Sequence, residues 1–140
     1  MLSFATARRL KQAGLVWHPA LHDFFVLPEH GLDDRVFVIA EMPASVAELQ
    51  GQTVFTFQGA VEWALDFVAT TEAVWLPAEA QLRQALEARL PEARLTLEVT
   101  AEAYTVTLAP SGAPLSFRAS SAEEAYAAAL LHHLNQEPRA

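Results

Sequence analysis

Between residues 94 and 118 apolar side chains fall on every second position in three short runs, and helical patterns stand on either side. Arg94 to Thr100 places Leu95, Leu97 and Val99 on one face. Tyr104 to Leu108 repeats this with Tyr104, Val106 and Leu108, and a turn at Pro110-Ser111-Gly112 leads to Leu115-Ser116-Phe117-Arg118. A period of two is that of a half-buried strand. Before these runs, Pro77 opens a helix over Ala78 to Leu90, with Leu82, Leu86 and Leu90 inward and Pro91 at its end. After them, Ser120 or Ser121 caps a helix reaching about Asn135, and Glu124 lies at the capping-box spacing from Ser121. Ala122, Ala125, Tyr126, Ala129, Leu130 and Leu134 make its expected buried stripe. The second half is thereby held to the order α-β-β-β-α, a three-stranded meander with helices packed on one face.

The first half is less regular. Ser3 can cap a helix from Phe4 to Ala13, with Gly14 at the position after its end. Pro19 stops any helix through Trp17-His18. Asp23 to Leu27 and Arg35 to Ala40 read as two strands joined by the polar turn Pro28 to Asp34, a hairpin. Both are nearly continuously apolar, which predicts cover on both faces. Pro43 and Ser45 open a short helix through Leu49, stopped by Gly51. Thr53 to Phe57 alternates as a strand, and Val61 to Phe67 is read as another, with a helix as the alternative. The expected fold class is α+β: one domain of two lobes, about 1–70 and 73–137, α-β-β-α-β-β then α-β-β-β-α, with mainly antiparallel sheets.

Composition fits one such domain. With 140 residues and 52% hydrophobic side chains, the chain can bury a core without a disulfide or a metal. It has no cysteine, which removes disulfides, thiolate metal sites and cysteine nucleophiles. The start, Met1 to Arg9, lacks the apolar stretch of a signal peptide, and no run approaches a membrane span. The cytoplasm is the expected location. A net charge of −8 argues against nucleic acid, whose phosphates are met by cations. Arg8, Arg9 and Lys11 are read as the solvated side of a helix near its C-terminal end.

The order α-β-β-β-α resembles that of a double-stranded RNA-binding domain. The stretch Phe117-Arg118-Ala119-Ser120-Ser121-Ala122-Glu123-Glu124-Ala125 falls where such a domain sets basic residues against phosphates. Here Glu123 and Glu124 stand instead, so RNA binding is not expected. Three segments carry a broader likeness: Phe4 to Leu15, Val74-Trp75-Leu76-Pro77-Ala78-Glu79-Ala80-Gln81-Leu82, and Ala119 to Leu131. Through them the chain resembles a group of small bacterial α+β proteins, with distant likeness to short phage-encoded ones, some bearing a pilus-assembly label. That resemblance implies no activity, and the Gly-rich phosphate loop of nucleotide-binding pilus-assembly proteins is missing here.

Few residues suggest chemistry. His18, His22, Asp23, Glu29, His30, Asp33 and Asp34 gather in one stretch, and imidazoles with carboxylates are the ligands of zinc or manganese. Pro19 breaks the helix that would pair His18 with His22, and the cheaper reading is a hairpin with an acidic, solvated tip. His132 and His133 suit the last turns of a helix, with His133 partly buried. Glu62 and Asp66 share the strand face opposite Trp63, but along a strand they would stand roughly 13 Å apart, beyond what glycoside hydrolysis uses. No Gly-x-Ser-x-Gly elbow occurs.

Three tryptophans and eight phenylalanines remain, concentrated in the first half. They are core, or they line a cleft or protein-binding patch. The candidate interaction or ligand surface is Trp17, His22, Asp23, Trp63 and Trp75. No catalytic residue, cofactor or metal is assigned. The expected role is a non-enzymatic accessory or interaction domain whose partner is a protein, itself or another, with no nucleic acid and no membrane. A small-ligand or metal-binding protein using His18 to Asp34, and an accessory of pilus assembly, are the alternatives.

Overall fold

The computed structural model describes residues 1–28, 32–39, 44–49, 52–57, 67–109 and 112–137. Their order is α1 (Phe4–Gln12), β1 (Phe24–Leu27), β2 (Leu32–Val38), β3 (Ala44–Leu49), β4 (Gln52–Phe57), β5 (Phe67–Ala69), a 3₁₀ turn (Thr70–Glu72), β6 (Val74–Leu76), α2 (Glu79–Arg89), β7 (Arg94–Val99), β8 (Tyr104–Ala109), β9 (Leu115–Ala119) and α3 (Ala122–Gln136). Every strand pairing among the described residues is antiparallel, so the class is α+β. No described helix is long and apolar enough to cross a membrane.

The chain divides into two compact units, Met1–Leu15 with Pro77–Ala140, and Val16–Leu76. The first helix therefore groups with the second half of the chain. Its apolar side, Leu2, Ala7 and Leu10, is buried, and α1 packs on α3. Ser3 caps it, accepting from the Thr6 N–H at 3.2 Å, and Gly14 leaves it at φ +106°, a conformation that costs glycine little.

In this unit β7, β8 and β9 form a meander in that order. Cross-strand partners Leu97, Val106 and Phe117 share the face turned inward, as do Leu95, Leu108 and Leu115. Thr96, Thr107 and Ser116 share the outer face, where the last two hydroxyls bond at 3.1 Å. Helix α3 lies against β8 and β9, and α1 and α2 pack on α3. That central place explains its composition. Ala125, Ala127, Ala129 and Leu130 are fully buried, so the helix is apolar on more sides than the single stripe expected.

The second unit holds two further sheets, ordered β2-β1-β6 and β3-β4-β5. The expected hairpin of β1 and β2 is present, with Phe24 opposite Val38 and Phe25 opposite Phe37. The short helix expected through Leu49 is instead strand β3, in register with β4 from Ala44↔Phe57 to Leu49↔Gln52. Five or six residues are too few to recover the cost of starting a helix, whereas the neighbouring strand offers a full ladder. The run Val61 to Phe67 lies outside the described residues except for Phe67, which opens β5.

Candidate functional site

The expected aromatic surface is built on the sheet of β1, β2 and β6. Register fixes its first face. Phe25 of β1 stands opposite Phe37 on one side and Trp75 on the other, so the three rings point the same way. Phe25 and Phe37 stack at 5.4 Å between centroids. Trp17, from the segment before β1, leans on Phe25 at 5.7 Å and stacks on Trp75 at 6.2 Å, the planes 9° apart. Four rings thus form one continuous row. Phe25 is fully buried within a cluster of Leu27, Ile39 and Ala73, while Trp17, Phe37 and Trp75 are half-buried around it.

Asp23 anchors the row. It is 5% exposed, a buried charged side chain. Its Oδ2 accepts from the indole N–H of Trp17 at 2.9 Å and from the Ala20 N–H at 3.1 Å. The Asp23 N–H returns to the Ala20 carbonyl at 3.2 Å, closing a turn over Leu21 and His22. His22 occupies the third position of that turn at φ +73°, where a type II turn needs a left-handed residue. Its own N–H donates to the Ile39 carbonyl at 2.8 Å, and the Ile39 N–H to the Asp23 carbonyl at 2.9 Å. A buried carboxylate is tolerable only when hydrogen-bonded, and these donors meet that condition.

Of the five expected surface residues, the structure brings Trp17, Asp23 and Trp75 together, and the sequence neighbour His22 sits exposed in the turn beside them. Trp63 lies outside the described residues. The arrangement can hold an aromatic platform rigid. The Trp75 indole nitrogen is buried with no hydrogen-bond partner among the described residues. No group of three potential metal ligands occurs among them either. From the stretch His18 to Asp34, residues 29–31 lie outside the description.

The opposite face of the same sheet is not distinguished by the sequence. Its rows are Leu76–Phe24–Val38 and Val74–Val26–Val36. On the β6 side they are covered, with Val74, Val26 and Leu76 each 3% exposed. Toward β2 they open: Phe24 is 38%, Val38 37% and Val36 49% exposed. The cover on both faces expected of these apolar strands is therefore partial. The sequence signal was present, since both strands are apolar on consecutive positions, but it does not say which edge is left open.

Elsewhere, an open depression of about 380 Å³ lies at the β7–β8 turn, bordered by Glu98, Glu102 and Arg118. Arg118 pairs with Glu102 at 3.5 Å, both side chains well exposed. Such a pair contributes little, and the depression lacks the apolar walls of a ligand site. Comparison with family models, curated proteins and solved structures gives no match.

Proposed function

We propose that this chain is a cytoplasmic protein-interaction domain that performs no chemistry of its own and binds a partner protein through Phe24, Val36 and Val38. The observation carrying this reading is the open half of an otherwise covered apolar face. These side chains are already more than half buried, so covering what remains yields roughly 1 kcal/mol each, and interface cores draw on apolar and aromatic residues of this kind. The aromatic row on the other face supports it by stiffening the sheet that presents the patch. The Asp23 carboxylate accepts from the Trp17 indole and the Ala20 N–H, which supports a structural role for it. The absence of cysteine from the sequence suits a reducing compartment.

The acidic balance supports a protein rather than nucleic acid as partner, as does Glu124 at the start of α3, which is tied to α1. The test is affinity capture with the wild type beside a V36D/V38D variant whose fold is checked by circular dichroism. A protein held by the wild type and lost by the variant is expected. Identical captured sets would overturn the reading.

A further inference from the structure

The edge of the β7-β8-β9 sheet carries a self-complementary sequence. Strand β7 has one neighbour, β8, so its other side is a free edge among the described residues. Natural edge strands are blunted by proline, by charged side chains (lysine above all), by a bulge, by brevity or by a covering element, and the two charges of β7, Arg94 and Glu98, are of opposite sign. Strand β7, Arg94-Leu95-Thr96-Leu97-Glu98-Val99, has six residues, none of them proline or lysine, and its register to β8 runs without a shift. The other edge, β9, is shorter and follows Pro114.

Hydrogen-bond phase decides which residues can pair outward. The Thr100 N–H donates to the Ala103 carbonyl at 3.0 Å across the turn. Antiparallel pairs alternate between those that exchange such bonds and those that do not. Counting back by twos, Glu98, Thr96 and Arg94 turn their backbone groups toward β8, while Val99, Leu97 and Leu95 turn theirs to the free edge. A second strand must therefore place odd-numbered residues opposite odd-numbered ones.

A second copy of β7 meets this condition when Thr96 faces Thr96. Leu95 then lies opposite Leu97 of the second copy, and Leu97 opposite its Leu95, each pair exchanging two backbone hydrogen bonds. On the other face, Arg94 stands opposite Glu98 twice. Centring on Leu95 or Leu97 satisfies the phase but strands both charges, and centring on Glu98 opposes two carboxylates. Arg94 and Glu98 are exposed, and neither joins an ion pair among the described residues. Leu95 and Leu97 are only half-buried and Val99 is 59% exposed, so an extended sheet has apolar surface left to cover.

We propose that two copies of this chain join antiparallel along β7 into a continuous six-stranded sheet, with Thr96 on the two-fold axis and Arg94 of each copy opposite Glu98 of the other. This deepens the interaction reading by naming one partner, and it rests on a different surface from the Phe24 patch.

Each copy carries a net charge of −8, so association is measured by sedimentation equilibrium at physiological salt, where charges beyond about 8 Å are screened. Reversible dimerisation is expected. The R94E and E98R variants each set like charges opposite one another twice, and should dimerise about tenfold to a hundredfold more weakly. Mixed together, the two variants should pair with each other as well as the wild type pairs with itself. The chain has no cysteine, so T96C offers one thiol. Facing residues on the axis stand about 4.5 Å apart at Cα, within disulfide reach, so T96C should oxidise to a covalent dimer faster than E98C. A monomer at every concentration, or a dimer indifferent to both reversals, overturns the β7 interface. So does a dimer that single reversals weaken and mixing fails to restore. The V36D/V38D variant should leave dimerisation unchanged, which separates failure here from failure of the Phe24 patch.

Discussion

Asp23 shows how one side chain decides what its neighbourhood can do. Its carboxylate holds the Trp17 indole and the Ala20 N–H at once, so removing it leaves two donors without that acceptor. The expected cost of D23A is about 3 kcal/mol in urea denaturation, and of D23N about 1 kcal/mol, because the amide keeps one acceptor oxygen. If both variants were as stable as the wild type, the carboxylate would not be structural and would be free for chemistry. Glu124 is the second such residue. Burial pushes its pKa up, but bonds from the Ser3 N–H, the Thr6 hydroxyl and the Ser3 hydroxyl, with the nearby amino terminus, together hold it below 4.5. A depressed folded pKa means stability that is complete above 4.5 and lost as pH falls through the lower folded value. The variant E124Q should therefore be less stable than wild type at pH 6, by about 1 kcal/mol. The gap should close as pH drops below 4.5, and a gap that stayed constant would show that ionisation of Glu124 contributes nothing.

At the scale of elements, the central position of α3 sets the strictest packing. Ala127 is fully buried although it lies off the expected stripe, because α3 is covered on more than one side. A127L should destabilise by about 1–3 kcal/mol, through overpacking rather than loss of helix propensity, since leucine is a strong helix former. An unchanged thermal midpoint would mean the helix has room on that side. The same helix shows what the sequence could tell. Ser121, the alternating runs and Pro77 mark their elements within a residue or two, because caps and periods are local physics. The burial of Ala127 was not legible, since alanine carries no polarity that reports its neighbours. The segment Ala44 to Leu49 misled for a related reason: its identity as β3 lies in its pairing with β4, and a helix was the best local reading. Trp17 and Trp75 stand out in the sequence as large, rare aromatic residues and Asp23 as part of a polar stretch. The burial of Asp23 is not legible there, and Phe24, Val36 and Val38 look like any other core strand until the open side of the sheet is known.

Over the whole molecule, the arrangement of the chain matters more than any one contact. One unit is assembled from Met1–Leu15 and Pro77–Ala140, so residues 16–76 enter it as an insertion. Helix α1 is joined to that unit by its packing on α3 and by Glu124, which accepts from the Ser3 N–H at 2.9 Å and the Thr6 hydroxyl at 2.7 Å. Leu2 is 3% and Leu10 1% exposed, and burying two such leucines contributes about 3–6 kcal/mol, comparable to the whole margin of a small domain. Replacing residues 16–76 with a flexible Gly/Ser linker of about ten residues keeps α1 tethered to its unit, and closing so short a loop costs little entropy. Such a chain should fold cooperatively with the helix content of α1, α2 and α3, as read by circular dichroism and a thermal melt. A fragment from Pro77 onward, without α1, should melt at lower temperature or not fold, because the face of α3 that α1 covers is then exposed to water. Equal melting of the two would show that α1 adds nothing to the unit, and failure of the linked chain to fold would show that residues 16–76 are required by it.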